Sequence, residues 1–344
     1  MLGFFISCRK ETYKRKLCFT FRLGGLKLTF DKENMLETLQ AFSEQCKEAV
    51  KLARGVKLKG KFVNICVCGM GGSGIGGELL KPFVKNIPVF SHHDYGLPNY
   101  VNKNSLVFII SYSGNTEQTL SAYSEAKKRK AKIIAITSGG KLAEKEKKAI
   151  IVPSGFQPRN AIGYLFLSML AVLSNNRIIP NQSGAISETI RLLHPKQNSK
   201  EAFMLAKKLK DKIPVFYASE ELAGAAYRMK TQVNENAKQP AFYHVFPEMN
   251  HNEINGFKKL GKKLITVFIR DSKDVMIIRK RMAITKNLIK SQTHTVDLNV
   301  NGKSLLARML TTIYVGDYAS YYLALMSRED PTPVPIIEEL KKKL

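Results

Sequence analysis

Apolar positions along this chain change period repeatedly, from continuous short runs to helical spacing and back. From Asn64 the runs "FVNICVCG", "IPVFSHHD", "SLVFII", "KIIAITS" and "AIIVP" are rich in branched and aromatic residues and are separated by helical segments. Runs that are apolar on both sides predict fully buried strands, and their alternation with helices predicts a parallel sheet covered on both faces. A helical apolar stretch from Ala161 to Ser174 closes this unit, and "NNRIIPNQSG", Asn175 to Gly184, carries the residues of a boundary. The theme then repeats: strand "KIPVFYAS", helix "ELAGAAYRMKTQVNENAK", strands "AFYHVF" and "KLITVFIRD", a helix from Val275 to Lys290, strand "THTVDLNV", and a late helix "LLARMLTTIYVGDYASYYLALM". Two α/β sandwiches in tandem are expected, over residues 35–178 and 185–344.

Residues 1–34 do not share this pattern. They are basic, with no sustained period, and their short apolar run before Arg9 is wrongly flanked for a secretory signal. Leu36, Leu39, Phe42, Cys46, Ala49 and Val50, just after a second methionine at Met35, fall at helical spacing. The chain is therefore expected to start near Met35, or to carry a short tail or added hairpin before it.

Composition narrows the class. At 344 residues and 44% apolar the chain can bury two cores of ordinary size. Its five cysteines include no C-x-x-C pair, which argues against a disulfide framework and a zinc ribbon, and Cys66 and Cys68 read as small core residues. The longest apolar stretch, "IGYLFLSMLAVLS", is shorter than the ~18–20 residues that span a bilayer, so no membrane partner is expected. The net charge of +27 would suit nucleic acid, but the lysines are scattered and no Trp or basic-aromatic interleaving accompanies them. Solvated lysine faces are the plainer account, and such a field also favours a phosphorylated substrate.

Chemistry begins at "CVCGMGGSGIGGELL". Gly69, Gly71 and Gly74 form a G-x-G-x-x-G after a strand, and Asp94 lies 20 residues further on, as a dinucleotide fold would require. A second polar turn, "SYSGNTEQT", follows the third strand and opens at the same edge of the sheet. Two such turns can converge on one small anion, with Gly72, Ser73, Ser111, Ser113 and Thr116 supplying donors to a terminal phosphate. Ser73 and the second turn decide for a phosphomonoester over a dinucleotide. The "HHD" at His92 to Asp94 is assigned no metal, because adjacent strand residues face opposite ways.

"GMGGSGIGGELL" with "SYSGNTEQTL" resembles the sugar isomerase (SIS) domain. "PRNAIGYLF" and "NENAKQPAFYHVFPEMNHNEINGF" resemble the bifunctional phosphoglucose/phosphomannose isomerase family, which has two SIS domains. The resemblance implies two flavodoxin-like α-β-α sandwiches and a cytoplasmic homodimer. It also implies an enzyme without metal or other cofactor that interconverts glucose 6-phosphate or mannose 6-phosphate with fructose 6-phosphate.

The same resemblance assigns roles. Glu235 in "QVNENAKQP" falls on the family's proton-transfer base, and a carboxylate among neutral amides beside an apolar strand is poorly explained by solvation alone. His251 in "EMNHNEINGF" falls on the ring-opening histidine, which reaches the site from the neighbouring subunit; Glu253 and Glu248 are lesser acid-base candidates in that loop. Arg159 in "QPRNAIGY" falls on the guanidinium that stabilises the enediolate. One departure stands out. Aligning on "GDYASYYLALMSREDPTPVP" sets Asp317, Tyr318 and Leu325 where the family has Asp, Thr or Gln, and a substrate-contacting lysine; Lys303 and Arg308 are the nearby substitutes. The rival reading is a catalytically silent sugar-phosphate sensor.

Overall fold

The computed structural model describes residues 28–343. Most of the 1–34 extension therefore lies outside the described residues.

The first sheet contains β1 (Asn64–Cys68), β2 (Val89–His92), β3 (Ser105–Ile110), β4 (Lys132–Thr137) and β5 (Ile150–Ile151) in the order β2-β1-β3-β4-β5. The second contains β6 (Ile213–Ser219), β7 (Phe242–Phe246), β8 (Leu264–Arg270) and β9 (His294–Asn299) in the order β7-β6-β8-β9. Every pairing is parallel, from Ile65 opposite Val89 to Arg270 opposite Asn299. Both sheets grow one way from their first strand to their second and the other way thereafter, so ligands are expected in the crevices at the carboxyl ends of β1/β3 and β6/β8.

In chain order the helices are α1 (Met35–Gln40), α2 (Phe42–Leu52), α3 (Gly71–Gly74), α4 (Gly76–Leu80), α5 (Glu117–Lys128), α6 (Gly140–Lys145) and α7 (Ile162–Asn175), then α8 (Ser183–Leu192), α9 (Pro195–Leu209), α10 (Ala223–Asn236), α11 (Phe257–Leu260), α12 (Met276–Ile289), α13 (Leu305–Met326) and α14 (Pro335–Lys343). Among the described residues no helix is long and apolar enough to cross a membrane.

The two sandwiches are less separate than a tandem pattern suggests. One hydrophobic cluster takes in the inner faces of both sheets (Ile65, Val67, Phe108; Phe216, Val267, Ile269) together with α2, α7, α10 and α13 between them. That explains why α7 and α13 are buried on all sides. The outer faces form two smaller cores, Cys66, Cys68, Val107 and Ile109 under α5 in the first and Val215, Tyr217 and Phe268 under α12 in the second. Asp31 accepts from the backbone N–H groups of Met35 (2.6 Å) and Leu36 (3.0 Å) and from the Tyr321 hydroxyl (3.1 Å), so the residues just before Met35 are tied to both α1 and α13.

Candidate active site

The glycine-rich turn leaves the carboxyl end of β1 and meets the turn after β3. Ser73 is buried, and its Oγ accepts from the Tyr112 backbone N–H at 3.2 Å, which leaves its own O–H free to donate. The Ser111 hydroxyl, also buried, donates to Thr116 Oγ1 at 3.1 Å and leaves the Thr116 O–H free. Thr116 is the N-cap position of α5 and makes no side-chain cap bond there, while Ser113 is exposed and accepts from Asn115 N. Part of the hydroxyl set thus braces the two turns against each other, and the rest opens outward beside the α5 N-terminus, whose N–H groups favour an anion. Gly114 sits at φ +71° with Gly139 O only 1.8 Å from where a Cβ would lie, so this turn requires glycine.

Sequence reasoning did not single out Tyr112. Its backbone joins the Gly-rich turn to Ser138, and its hydroxyl donates to Pro153 O (2.8 Å) and accepts from Phe156 N (2.9 Å). It therefore fixes the segment leading into Pro158 and Arg159. Nothing in its spacing marks it, because the partners of its hydroxyl are main-chain atoms.

Arg159 lies on a short helical turn, Pro158–Ala161, that rests on the glycine turn: a Cβ at Gly72 would come within 2.5 Å of Arg159 Cα and 2.7 Å of its N. The guanidinium is 2% exposed and makes three hydrogen bonds, all through Nε and Nη2. Its Nε donates to Asn236 Oδ1 (2.8 Å), its Nη2 to Pro331 O (3.0 Å) and Thr332 O (2.6 Å), and its Nη1 lies 3.5 Å from Glu235 Oε2. Burial lowers its pKa from the usual 12.5 and the Glu235 carboxylate opposes that shift, so it stays a cation. Arg228 donates to Arg159 O (2.9 Å) and grips Asp317 with two bonds of 3.0 and 2.7 Å, and Asn236 donates to Ser320 Oγ. A buried polar network from α10 and α13 thus holds the arginine from behind.

Glu235 is on the last turn of α10, with its side chain 24% exposed. Two of the sequence-predicted residues, Arg159 and Glu235, therefore meet across the two units. His251 does not join them within the chain. It is exposed on the turn Glu248–His251, and among the described residues no hydrogen bond or ion pair links it to Arg159 or Glu235. That turn is fastened to α12 by Asn250 Nδ2 donating to Thr285 Oγ1 (2.7 Å) and by buried Met249. Glu253 accepts from the Tyr217 hydroxyl (2.8 Å) and faces His244 (3.6 Å), while Glu248 accepts from Asn252.

At the expected C-terminal positions, neither Tyr318 nor Leu325 offers the site a polar contact. Tyr318 and Leu325 are 1% and 3% exposed, packed in the shared core, and Asp317 is the partner of Arg228. A lysine at 325 would be buried in that core. Arg308 is not a substitute either, since its guanidinium pairs with Asp271 (2.7 Å) and donates to Lys303 O. The C-terminal residues that reach Arg159 are Pro331 and Thr332, through their carbonyls. His92 and His93 contact different backbone carbonyls, those of Gly96 and Gly69, and Asp94 Oδ1 accepts from Tyr95 N.

Two family models match the chain: the SIS domain over residues 57–175 and the bacterial phospho-glucose isomerase C-terminal SIS domain over residues 198–344. The chain is 42% identical over 335 residues to the bifunctional phosphoglucose/phosphomannose isomerase of Caldicellulosiruptor bescii, covering 90% of this chain and 98% of that one. It is 34% identical to the D-glucosamine-6-phosphate 4-epimerase of Sulfolobus acidocaldarius, over 74% of this chain and 82% of the relative. The fold matches the C-terminal domain of glucosamine-fructose-6-phosphate aminotransferase from Francisella tularensis at TM-score 0.69 and 14% identity, over 90% and 99% of the two chains. Both halves and the order in which they occur thus have counterparts of nearly full length, and the chain belongs to the bifunctional phosphoglucose/phosphomannose isomerase family.

Proposed function

We propose that this chain is an aldose-ketose isomerase that interconverts glucose 6-phosphate and mannose 6-phosphate with fructose 6-phosphate. The observation that carries the reading is the Arg159–Glu235 pair, a buried guanidinium 3.5 Å from a partly open carboxylate, seated on the backbone of the Gly72 turn. In this account Gly72, Ser73, Ser111, Ser113 and Thr116 hold the sugar phosphate at the β1/β3 crevice, and the sugar extends toward α10. Glu235 takes the proton from C2 of the open-chain aldose, and the C–H electrons form the C1=C2 bond as O1 gains charge. Arg159 stabilises the enediolate while the proton of the C2 hydroxyl passes to O1, and the carboxylic acid then returns its proton to C1 as the C2–O2 bond becomes the ketone.

His251 opens the ring from a second copy of the chain. Two observations favour that arrangement: it is exposed and has no link to Glu235 within its own chain, and the helix that anchors its turn carries outward apolar residues, with Met276 76% and Leu288 60% exposed. An apolar helix face of that kind suits burial against a partner. The reading carries with it domain limits of 35–178 and 185–344 and a cytoplasmic homodimer. Coupled assays with each aldose phosphate test it, with D-glucosamine 6-phosphate as a third substrate because a relative is named for its 4-epimerisation. Fructose 6-phosphate formation from the first two supports the isomerase; turnover of the amino sugar alone overturns it.

A further inference from the structure

Lys238 follows the C-cap of α10, Ala237, and lies three residues past Glu235. Its backbone is left-handed, at φ +54°, where glycine is the usual residue after a helix and a side chain costs ~1–2 kcal/mol. Its Nζ donates to Asn236 O at 3.1 Å and to Asp330 O in a short bond. Those acceptors flank the groups that hold Arg159, whose Nε uses the Asn236 side chain and whose Nη2 uses Pro331 O and Thr332 O. The ammonium and the guanidinium thus staple the same two pieces of chain, the end of α10 and the 330–332 segment, side by side.

We propose that Lys238 is a positioning residue: its ammonium clamps the Asp330–Thr332 segment to the end of α10 and thereby fixes the Arg159 guanidinium opposite Glu235. The clamp is strongest while the amine is protonated, because an ammonium makes charge-assisted bonds to both carbonyls and a neutral amine makes weaker ones. Partial desolvation lowers the pKa of the otherwise exposed Lys238 from its usual 10.5, the like charge of Arg159 lowers it further, and Asp330, Glu329 and Glu235 oppose the shift. The amine therefore loses its proton at a lower pH than an ordinary lysine, and the clamp loosens on the alkaline side.

The kinetic arm of the test rests on the isomerase reading; the exchange arm does not. Lys238→Gly relieves the left-handed backbone while removing the ammonium, Lys238→Met removes the ammonium alone, and Lys238→Arg keeps a cation. In the Gly and Met variants kcat falls about tenfold or more with KM within about threefold, as expected when a stabilising group is displaced without loss of the phosphate grip. Lys238→Arg restores most of kcat and moves the alkaline limb of kcat/KM to higher pH. Hydrogen exchange of the Thr332 amide, which donates to Asp330 Oδ1 in a buried position, speeds about tenfold in the Gly variant and not in the Arg variant. If Lys238 serves only to end the helix, Lys238→Gly is at least as active as the parent and Thr332 exchange is unchanged, which overturns the proposal. Should the parent chain show no isomerase activity, the exchange result alone decides, so the two failures are distinguishable.

Discussion

Gly72→Ala probes the junction on which the proposed site depends. The added methyl would lie 2.5 Å from Arg159 Cα, 2.7 Å from Arg159 N and 3.0 Å from Pro158 C. All three are backbone atoms, so no side chain can swing aside. Carbon atoms sit comfortably at about 3.5–4.0 Å, so the two turns must part by roughly 1 Å. Arg159 cannot follow freely, because its guanidinium is tied to Asn236, Pro331 and Thr332. The displacement therefore falls on the distance between the phosphate turn and the arginine, and a misplacement of about 1 Å costs on the order of 10²-fold in turnover. Steady-state isomerisation at saturating sugar phosphate, with circular dichroism to check folding, measures it. Gly55→Ala is the control, since a Cβ there meets nothing within 4 Å. A folded Gly72→Ala with kcat within about threefold of the parent refutes the idea that these turns act as one rigid unit.

Two further outcomes follow from the same geometry. If His251 serves the neighbouring site, His251→Ala and Glu235→Gln are each inactive as pure proteins, and mixing after subunit exchange restores about a quarter of parental activity, one intact site in each mixed dimer; no recovery contradicts the shared site. Glu188 caps the N-terminus of α13 through Lys303 N (2.6 Å) and Ser304 N (3.0 Å); partial burial resists, yet these bonds hold its carboxyl below the usual 4.5. A depressed value stabilises the fold fully above that range and ceases to do so as pH falls through it. Urea titrations of Glu188→Gln should therefore show a loss of about 0.5–1 kcal/mol at pH 7, modest because solvent screens the carboxylate, and convergence with the parent in acid.

The strands were legible because parallel strands buried on both faces read as unbroken apolar runs, and the phosphate turns because glycine and hydroxyl residues cluster there. Arg159 and Glu235 were also found from their surroundings and the family likeness, although only the fold brings them together. The C-terminal contribution to the site was not legible. Helix α13 is buried all round, so its periodicity names no inward face and no residue that could point to substrate. Asp330, Pro331 and Thr332 act at the site through backbone carbonyls, which any sequence supplies, and Lys238 and Tyr112 are hidden for the same reason. The merging of the two units into one core was equally hidden: periodicity shows that α7 and α13 are covered on every side, but not by what.

The central claim is that Glu235 moves a proton between C1 and C2 beside Arg159. Proton NMR of glucose 6-phosphate incubated with the chain in deuterated water follows loss of the C2 proton signal directly. The account predicts exchange at C2 together with fructose 6-phosphate formation, and both falling by about 10³-fold or more in Glu235→Gln at unchanged fold. Undiminished exchange in Glu235→Gln would contradict it.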